Sequence, residues 1–180
     1  MTYKQVYRLP TGDRIRQGEV LAGVPVVTGL SIIDEETNEL LEEEVSLAVV
    51  VTPDCDIENY ERRLASNGDG GMTSFMLLPL MPRSQVSSTA WKNAHRNSQT
   101  SAHVIESCPS ECDAAELGFE AAYIDFRWLF AIHPEFLKSA LAADLAIRRT
   151  QICSPYREHL IQRLMANLSR VALDRDHDTE

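Results

Sequence analysis

Residues 47–57 read Leu-Ala-Val-Val-Val-Thr-Pro-Asp-Cys-Asp-Ile. The apolar, β-branched run predicts a buried strand, and Pro53 ends it because proline cannot donate a hydrogen bond to a neighbouring strand. Asp54, Cys55 and Asp56 are therefore expected where a strand passes into a loop, a place where functional side chains often collect. This junction is the first candidate for a binding site.

The Asp54-Cys55-Asp56 segment allows three interpretations. Carboxylates and a thiolate are ligands for a divalent metal ion. The thiol of Cys55 could also act as a nucleophile if a base such as His95 or His103 lies nearby. In the third interpretation the two aspartates cap backbone amides of a tight turn and Cys55 packs inward.

The segments on either side of this stretch favour further strands in the first two thirds of the chain. The acidic residues 34–44, with seven carboxylates, predict an exposed hairpin tip, because so many charges cannot be buried unpaired. Residues 83–103 are rich in Ser, Thr, Asn and Gln and predict a loop that Trp91 anchors to the body. The apolar segments that predict strands are 18–27 with 30–33, 72–80, 103–105 and 120–124.

The last third of the chain has the pattern of helices. Pro134 and Ser154-Pro155 are typical of helix starts. We therefore expect a β-rich domain over 1–133, a helical hairpin over 134–173 and a frayed tail over 174–180, which together make an α+β fold. The apolar face of the first helix comprises Phe136, Leu137, Ala140, Leu141, Leu145 and Ile147.

The distribution of charge limits the partners that the chain could bind. Its net charge of −10 disfavours nucleic acid, since phosphates would be repelled at long range. The predicted C-terminal helices are nevertheless basic, and this basic face could meet an acidic partner or simply be solvated. It comprises Arg148, Arg149, Arg157, Arg163 and Arg170.

The location expected from the sequence is the cytoplasm, without a membrane anchor. No apolar run approaches the roughly 20 residues that span a bilayer, and the first residues lack the apolar core of a signal peptide.

Two cysteines raise the alternative of a zinc site. Cys108 and Cys112 are separated by three residues, a spacing found in structural zinc sites, and His103 and His95 could complete a tetrahedral set. The other interpretation is two ordinary loop cysteines and two exposed histidines.

The order of these segments resembles the PemK/MazF-type growth inhibitors, which are small SH3-like β barrels of bacterial toxin–antitoxin systems. The resemblance implies an SH3-like barrel over about residues 14–137. It rests on Ile15 to Val20 as the opening strand, Ala48 to Asp54 as the central strand, Met72 to Leu80 as the next strand, and Tyr123 to Ile132 as the late strand and turn.

The chain departs from that family at its nuclease site. The family's nuclease uses an arginine just before the central strand, where this chain has Glu43-Glu44-Val45-Ser46. The family's hydroxyl group could correspond to Thr73 or Ser74, but an isolated hydroxyl is not activated for attack.

Three functions are therefore expected in turn. The first is a non-enzymatic binding or regulatory component of a bacterial multi-protein system, of the toxin–antitoxin or phage-defence type, that acts on a protein partner. The second is an endoribonuclease-like enzyme that uses Thr73 or Ser74 with an arginine such as Arg83. The third is a zinc-binding module.

Overall fold

The computed structural model describes residues 5–32, 38–66, 68 and 70–172. These residues form nine strands and four α-helices. The strands are β1 (Tyr7–Arg8), β2 (Glu19–Ile32), β3 (Asn38–Val50), β4 (Phe75–Pro79), β5 (Met81–Pro82), β6 (Ala102–Ile105), β7 (Ala122–Asp125), β8 (Phe130–Ile132) and β9 (Ile147–Ile152). The helices are α1 (Asp54–Ala65), α2 (Ser88–His95), α3 (Pro134–Ala142) and α4 (Tyr156–Ala172), and none of them is both long and apolar enough to cross a membrane.

Two antiparallel sheets organise the fold. The larger has the strand order β1-β9-β2-β3-β4-β8, and the smaller has the order β5-β7-β6. The predicted α+β class is therefore confirmed. The strands of the described residues do not close into a barrel, so the SH3-like barrel stays a prediction.

The larger sheet is buried on both faces, which explains the unbroken apolar run of the central strand. Val49 and Val51 contribute to one core cluster together with Leu160 of α4. Ala48 and Val50 contribute to the other, together with Ile57 of α1 and Leu137 of α3. Successive side chains of a strand point to opposite faces, so a strand covered on both sides is apolar at every position.

The predicted C-terminal helical hairpin is wrong, because a strand separates the two helices. Strand β9 lies between β1 and β2 in the larger sheet. Its arginines resembled a solvated helix face, yet the structure pairs both of them with buried carboxylates. Arg148 Nη2 lies 2.7 Å from Glu19 Oε1, and Arg149 Nε lies 2.6 Å from Asp113 Oδ1. The predicted boundary at residue 133 thus divides strands of one sheet, and the predicted tail 174–180 lies outside the described residues.

Two predicted loops contain regular structure. Residues 83–103 hold a 3-10 turn, helix α2 and the start of β6, and the Ser87 side chain caps α2 by accepting a hydrogen bond from the Ala90 amide. Trp91 packs against the buried cluster of Ala102 and Tyr123, as predicted. The acidic stretch is not only a hairpin tip, since residues 38–44 belong to β3, where Glu43 and Glu44 are exposed. Residues 33–37 lie outside the described part of the chain.

Candidate functional site

The Asp54-Cys55-Asp56 segment forms the first turn of helix α1 and is not a loop. Pro53 precedes the helix in an extended conformation, with φ −59° and ψ 140°. Carboxylates in a first turn are favoured by the partial positive charge of the helix N-terminus. Proline both ends a strand and begins a helix well, so the strand end was visible in the sequence and the helix start was not recognised.

Asp54 is engaged in holding the fold together. Its Oδ1 accepts a hydrogen bond of 2.7 Å from the Gln17 amide, and its Oδ2 lies 3.4 Å from Arg157 Nη1 of α4. Cys55 is exposed, with its thiol 3.7 Å from the Asp56 carboxylate. Asp54 is therefore a structural anchor, and Asp56 is the carboxylate of the segment that faces an open surface.

Asp56 opens onto a cleft of about 540 Å³ between α1 and the segment 70–76. We call it the α1 cleft. Thr52 and the buried Tyr60 also line it, and the Thr52 hydroxyl accepts a hydrogen bond of 2.7 Å from the Met76 amide. The polar side chains around it are Asp56, Asn59, Arg62, Arg63, Thr73 and Ser74. Three predicted candidates, Asp56, Thr73 and Ser74, thus share one site.

Glycines allow the segment 70–76 to approach the helix closely. Gly70 and Gly71 have φ of +75° and +70°. A Cβ on Gly70 would lie 2.5 Å from the Tyr60 ring, and a Cβ on Gly71 would collide with the Arg63 guanidinium. The Gly-rich turn therefore sets the width of the cleft.

Tyr60 is fixed by helix α3 from behind. Its hydroxyl donates a hydrogen bond of 2.5 Å to Glu135, and Lys138 Nζ lies 4.5 Å from its ring centroid. Burial, followed by the contact with Glu135, raises the pKa of the Tyr60 hydroxyl, so it stays protonated and keeps donating. The floor of the cleft is thus rigid and neutral.

Two arginines give the α1 cleft its cationic character. Arg62 and Arg63 are exposed, and neither forms an ion pair with a carboxylate of the described residues. Arg62 donates to the Asn59 side chain on the same helix. Sequence reasoning missed these residues because it missed the helix, although positions 56, 59, 60 and 63 have the spacing of one helix face.

Arg83, the arginine predicted to assist Thr73 and Ser74, lies elsewhere. Its guanidinium donates to the Val86 carbonyl at 2.7 Å and to the Ser88 hydroxyl at 3.2 Å, and it stacks over Trp91 at 5.1 Å. Arg83 therefore holds the start of α2, and Arg63 is the arginine that shares a cleft with the two hydroxyls.

The residues predicted for zinc are not brought together as a set of ligands. Cys108 is buried in a β-bridge with Phe119, and Cys112 is buried in a 3-10 turn at Ser110–Cys112. Burial, as the largest cause, raises the pKa of the Cys108 thiol to about 11, which disfavours the thiolate that zinc requires. Among the residues that the structure describes, no three His, Cys, Asp or Glu side chains are grouped to hold a metal ion.

His95 and His103 instead line a second, smaller cavity of about 220 Å³, together with His159. We call it the histidine cavity. The rings of His103 and His159 meet edge to face with their centroids 5.2 Å apart. Burial, then the proximity of His159 and Arg163, lowers the pKa of His103 to about 4, so this imidazole is neutral at pH 7.

Comparison of the chain with protein-family models gives no match, and comparison with the curated proteins gives none either. The resemblance to the PemK/MazF-type growth inhibitors accordingly stays a prediction, and the function is argued from the geometry of the site.

The close contact between Gly70 and Tyr60 predicts a large penalty for any side chain at position 70. We expect Gly70→Ala to lower the free energy of unfolding by more than Gly12→Ala does. Both glycines have positive φ, but a Cβ on Gly12 would meet no atom within 4 Å, so Gly12→Ala measures the backbone strain alone, of order 1–3 kcal/mol. Urea unfolding followed by circular dichroism measures both variants. Equal losses would show that the turn does not close on Tyr60.

The neutral state of His103 predicts a loss of stability on acidification. The unfolded chain takes up a proton near pH 6.5, whereas folded His103 does so only near pH 4. Its contribution is therefore complete above pH 6.5 and is lost as the pH falls towards 4, by up to about 3 kcal/mol. Urea unfolding at pH 7 and pH 4.5 should show a smaller pH dependence for His103→Leu than for the wild type. An unchanged dependence would contradict the assignment.

Proposed function

We propose that this chain is a non-enzymatic binding or regulatory component of a bacterial multi-protein system, and that its α1 cleft holds an acidic segment of a protein partner. The observation that carries the proposal is the exposed pair Arg62 and Arg63, which has no carboxylate partner among the described residues. We place the protein in the cytoplasm.

The chemistry of the cleft favours an anionic group. A guanidinium offers paired N–H donors that match a carboxylate or phosphate, and such charge-assisted hydrogen bonds are stronger than neutral ones. The hydroxyls of Thr73 and Ser74 and the side-chain amide of Asn59 add further polar groups at the same opening. Asp56 repels an anion on its side of the cleft, so the charge of the partner is directed towards the two arginines.

The same lining favours binding over catalysis. A hydroxyl becomes an effective nucleophile when a base such as histidine removes its proton. No histidine lines the α1 cleft, and its one lining carboxylate is the exposed Asp56. Thr73 and Ser74 therefore act in this proposal as hydrogen-bonding groups.

The kind of system is inferred from the resemblance to toxin–antitoxin proteins, and a phage-defence assembly is of the same general type. An SH3-like barrel belongs to this proposal as the finer description of the fold. The long β2–β3 hairpin and the antiparallel pairing of β3 with β4 support it.

Capture of the partner tests the proposal. The tagged protein would be purified from its own host at low salt, in parallel with the variants Arg62→Ala/Arg63→Ala and Lys92→Ala/Arg96→Ala. Both double variants remove two positive charges, but Lys92 and Arg96 are exposed at α2 and do not line the cleft. We expect a stoichiometric protein, identified by mass spectrometry, with the wild type and the Lys92/Arg96 variant, and at least a tenfold smaller yield with the Arg62/Arg63 variant.

Two results would contradict the proposal. One is a partner retained equally by both double variants, which would place its binding elsewhere on the chain. The other is RNA as the captured species, measured by ultraviolet absorbance, which would favour the second candidate.

The second candidate function is an endoribonuclease-like activity. The cleft places Thr73 and Ser74 with Arg63, and a cation near a scissile phosphate stabilises the charge that develops during cleavage. If RNA is cleaved, we expect Arg63→Ala to reduce the rate by about a hundredfold and Arg83→Ala to leave it nearly unchanged. Gel analysis of a labelled RNA measures the rates. Loss of cleavage with Arg83→Ala alone would sink this assignment of residues.

A further inference from the structure

The histidine cavity is a second candidate site that does not depend on the α1 cleft. It is formed by residues of β1, α2, β6 and the beginning of α4. Its volume of about 220 Å³ is below the usual range for drug-sized ligands, about 300–1,000 Å³. An occupant is therefore a small molecule or one group of a larger one.

Five rings line this cavity: Tyr7, Tyr156, His95, His103 and His159. The Tyr7 hydroxyl is occupied by a hydrogen bond of 2.5 Å to the Glu106 carbonyl, so Tyr7 presents its ring. Aromatic and imidazole rings stack well on planar heterocycles and tolerate many of them. The shape of the lining thus favours a flat ligand.

His103 supplies the second observation. It is only 8% exposed, and its Nδ1 is buried without a hydrogen-bond partner among the described residues. Unpaired buried polar atoms are uncommon because leaving one unsatisfied costs free energy. An imidazole held in its neutral form can either donate or accept a hydrogen bond at a given nitrogen. An unpaired nitrogen in the wall of a cavity therefore points to a ligand that carries hydrogen-bonding atoms on its rim.

We propose that the histidine cavity binds a nucleobase, carried either by a free nucleoside or nucleotide or by an unpaired position in RNA. The base stacks on the surrounding rings, and its edge supplies the partner that the imidazole of His103 lacks. Asn97 and the exposed Glu106 also line the cavity and offer an amide and a carboxylate to the exocyclic groups of the base.

Other occupants fit these observations less well. A metal ion would need three or more ligands at short distance, and the described histidines are not grouped in that way. A purely apolar molecule would leave the nitrogen of His103 unpaired. A bare phosphate would leave the ring faces unused, and Glu106 would repel it.

Binding is tested by isothermal titration with adenosine, guanosine, cytidine and uridine, and separately with a short single-stranded RNA. The variants are His103→Leu, which removes the ring nitrogens, and Tyr156→Ala and His95→Ala, which change exposed walls and leave the core unchanged. His133→Ala is the control, because His133 is exposed at the start of α3 and does not line the cavity. Nitrogen-15 spectra of the histidine side chains report whether the His103 resonances move when a ligand is added.

We expect one or more of the four nucleosides to bind, a shift of the His103 resonances, and about tenfold weaker binding in His103→Leu and Tyr156→Ala with no change in His133→Ala. Binding of free nucleosides identifies the source as a small molecule, and binding of the RNA alone identifies it as an unpaired base; either outcome supports the proposal. If no probe binds, if zinc alone binds, or if Tyr156→Ala and His95→Ala bind as the wild type does, the proposal is overturned and water is the partner of His103.

Discussion

The placement of helix α1 depends on the carboxylate of Asp54. It accepts the Gln17 amide just before β2 and pairs with Arg157 of α4, so one side chain joins three parts of the chain. Gly18 makes this possible, since a Cβ at that position would lie 2.9 Å from the Arg157 side chain. The α1 cleft is formed by α1, and His159 of the histidine cavity lies on the same helix as Arg157. The geometry of both candidate sites therefore rests on this one contact.

Buried charge is the second constraint on the fold. Strand β9 lies in the middle of a sheet with two arginines, which is tolerable only because each has a carboxylate partner. Burial raises the pKa of Glu19 despite the opposing effect of Arg148. At Asp113 burial acts in the same direction, but the hydrogen bonds from Arg149 prevail and the pKa is lowered. Such pairs contribute little net stability, yet the loss of one partner costs several kcal/mol, so they select one register for β9.

The sequence predicted the apolar strands well, because hydrophobic periodicity reflects burial directly. It failed where two rules gave different answers. Arg148 and Arg149 belong to a strand although charged residues are rare in central strands, and their carboxylate partners are distant in sequence. Pro53 was interpreted only as the end of a strand, so the helix that presents Arg62 and Arg63 was missed. Thr73, Ser74 and Asp56 were proposed separately, and only the fold shows that they share a cleft. The cavity that unites His95, His103 and His159 could not have been found from spacing, since α2, β6 and α4 are far apart in the chain.

The central claim is that the α1 cleft is the surface that meets a partner. Hydrogen–deuterium exchange of the protein alone and in complex with its captured partner tests this most directly, because it reports on each segment of the backbone. The account predicts that protection on binding is concentrated in residues 54–65 and 70–76, and that Arg62→Ala/Arg63→Ala abolishes it. Protection confined to the smaller sheet or to the exposed part of β3 would contradict the account.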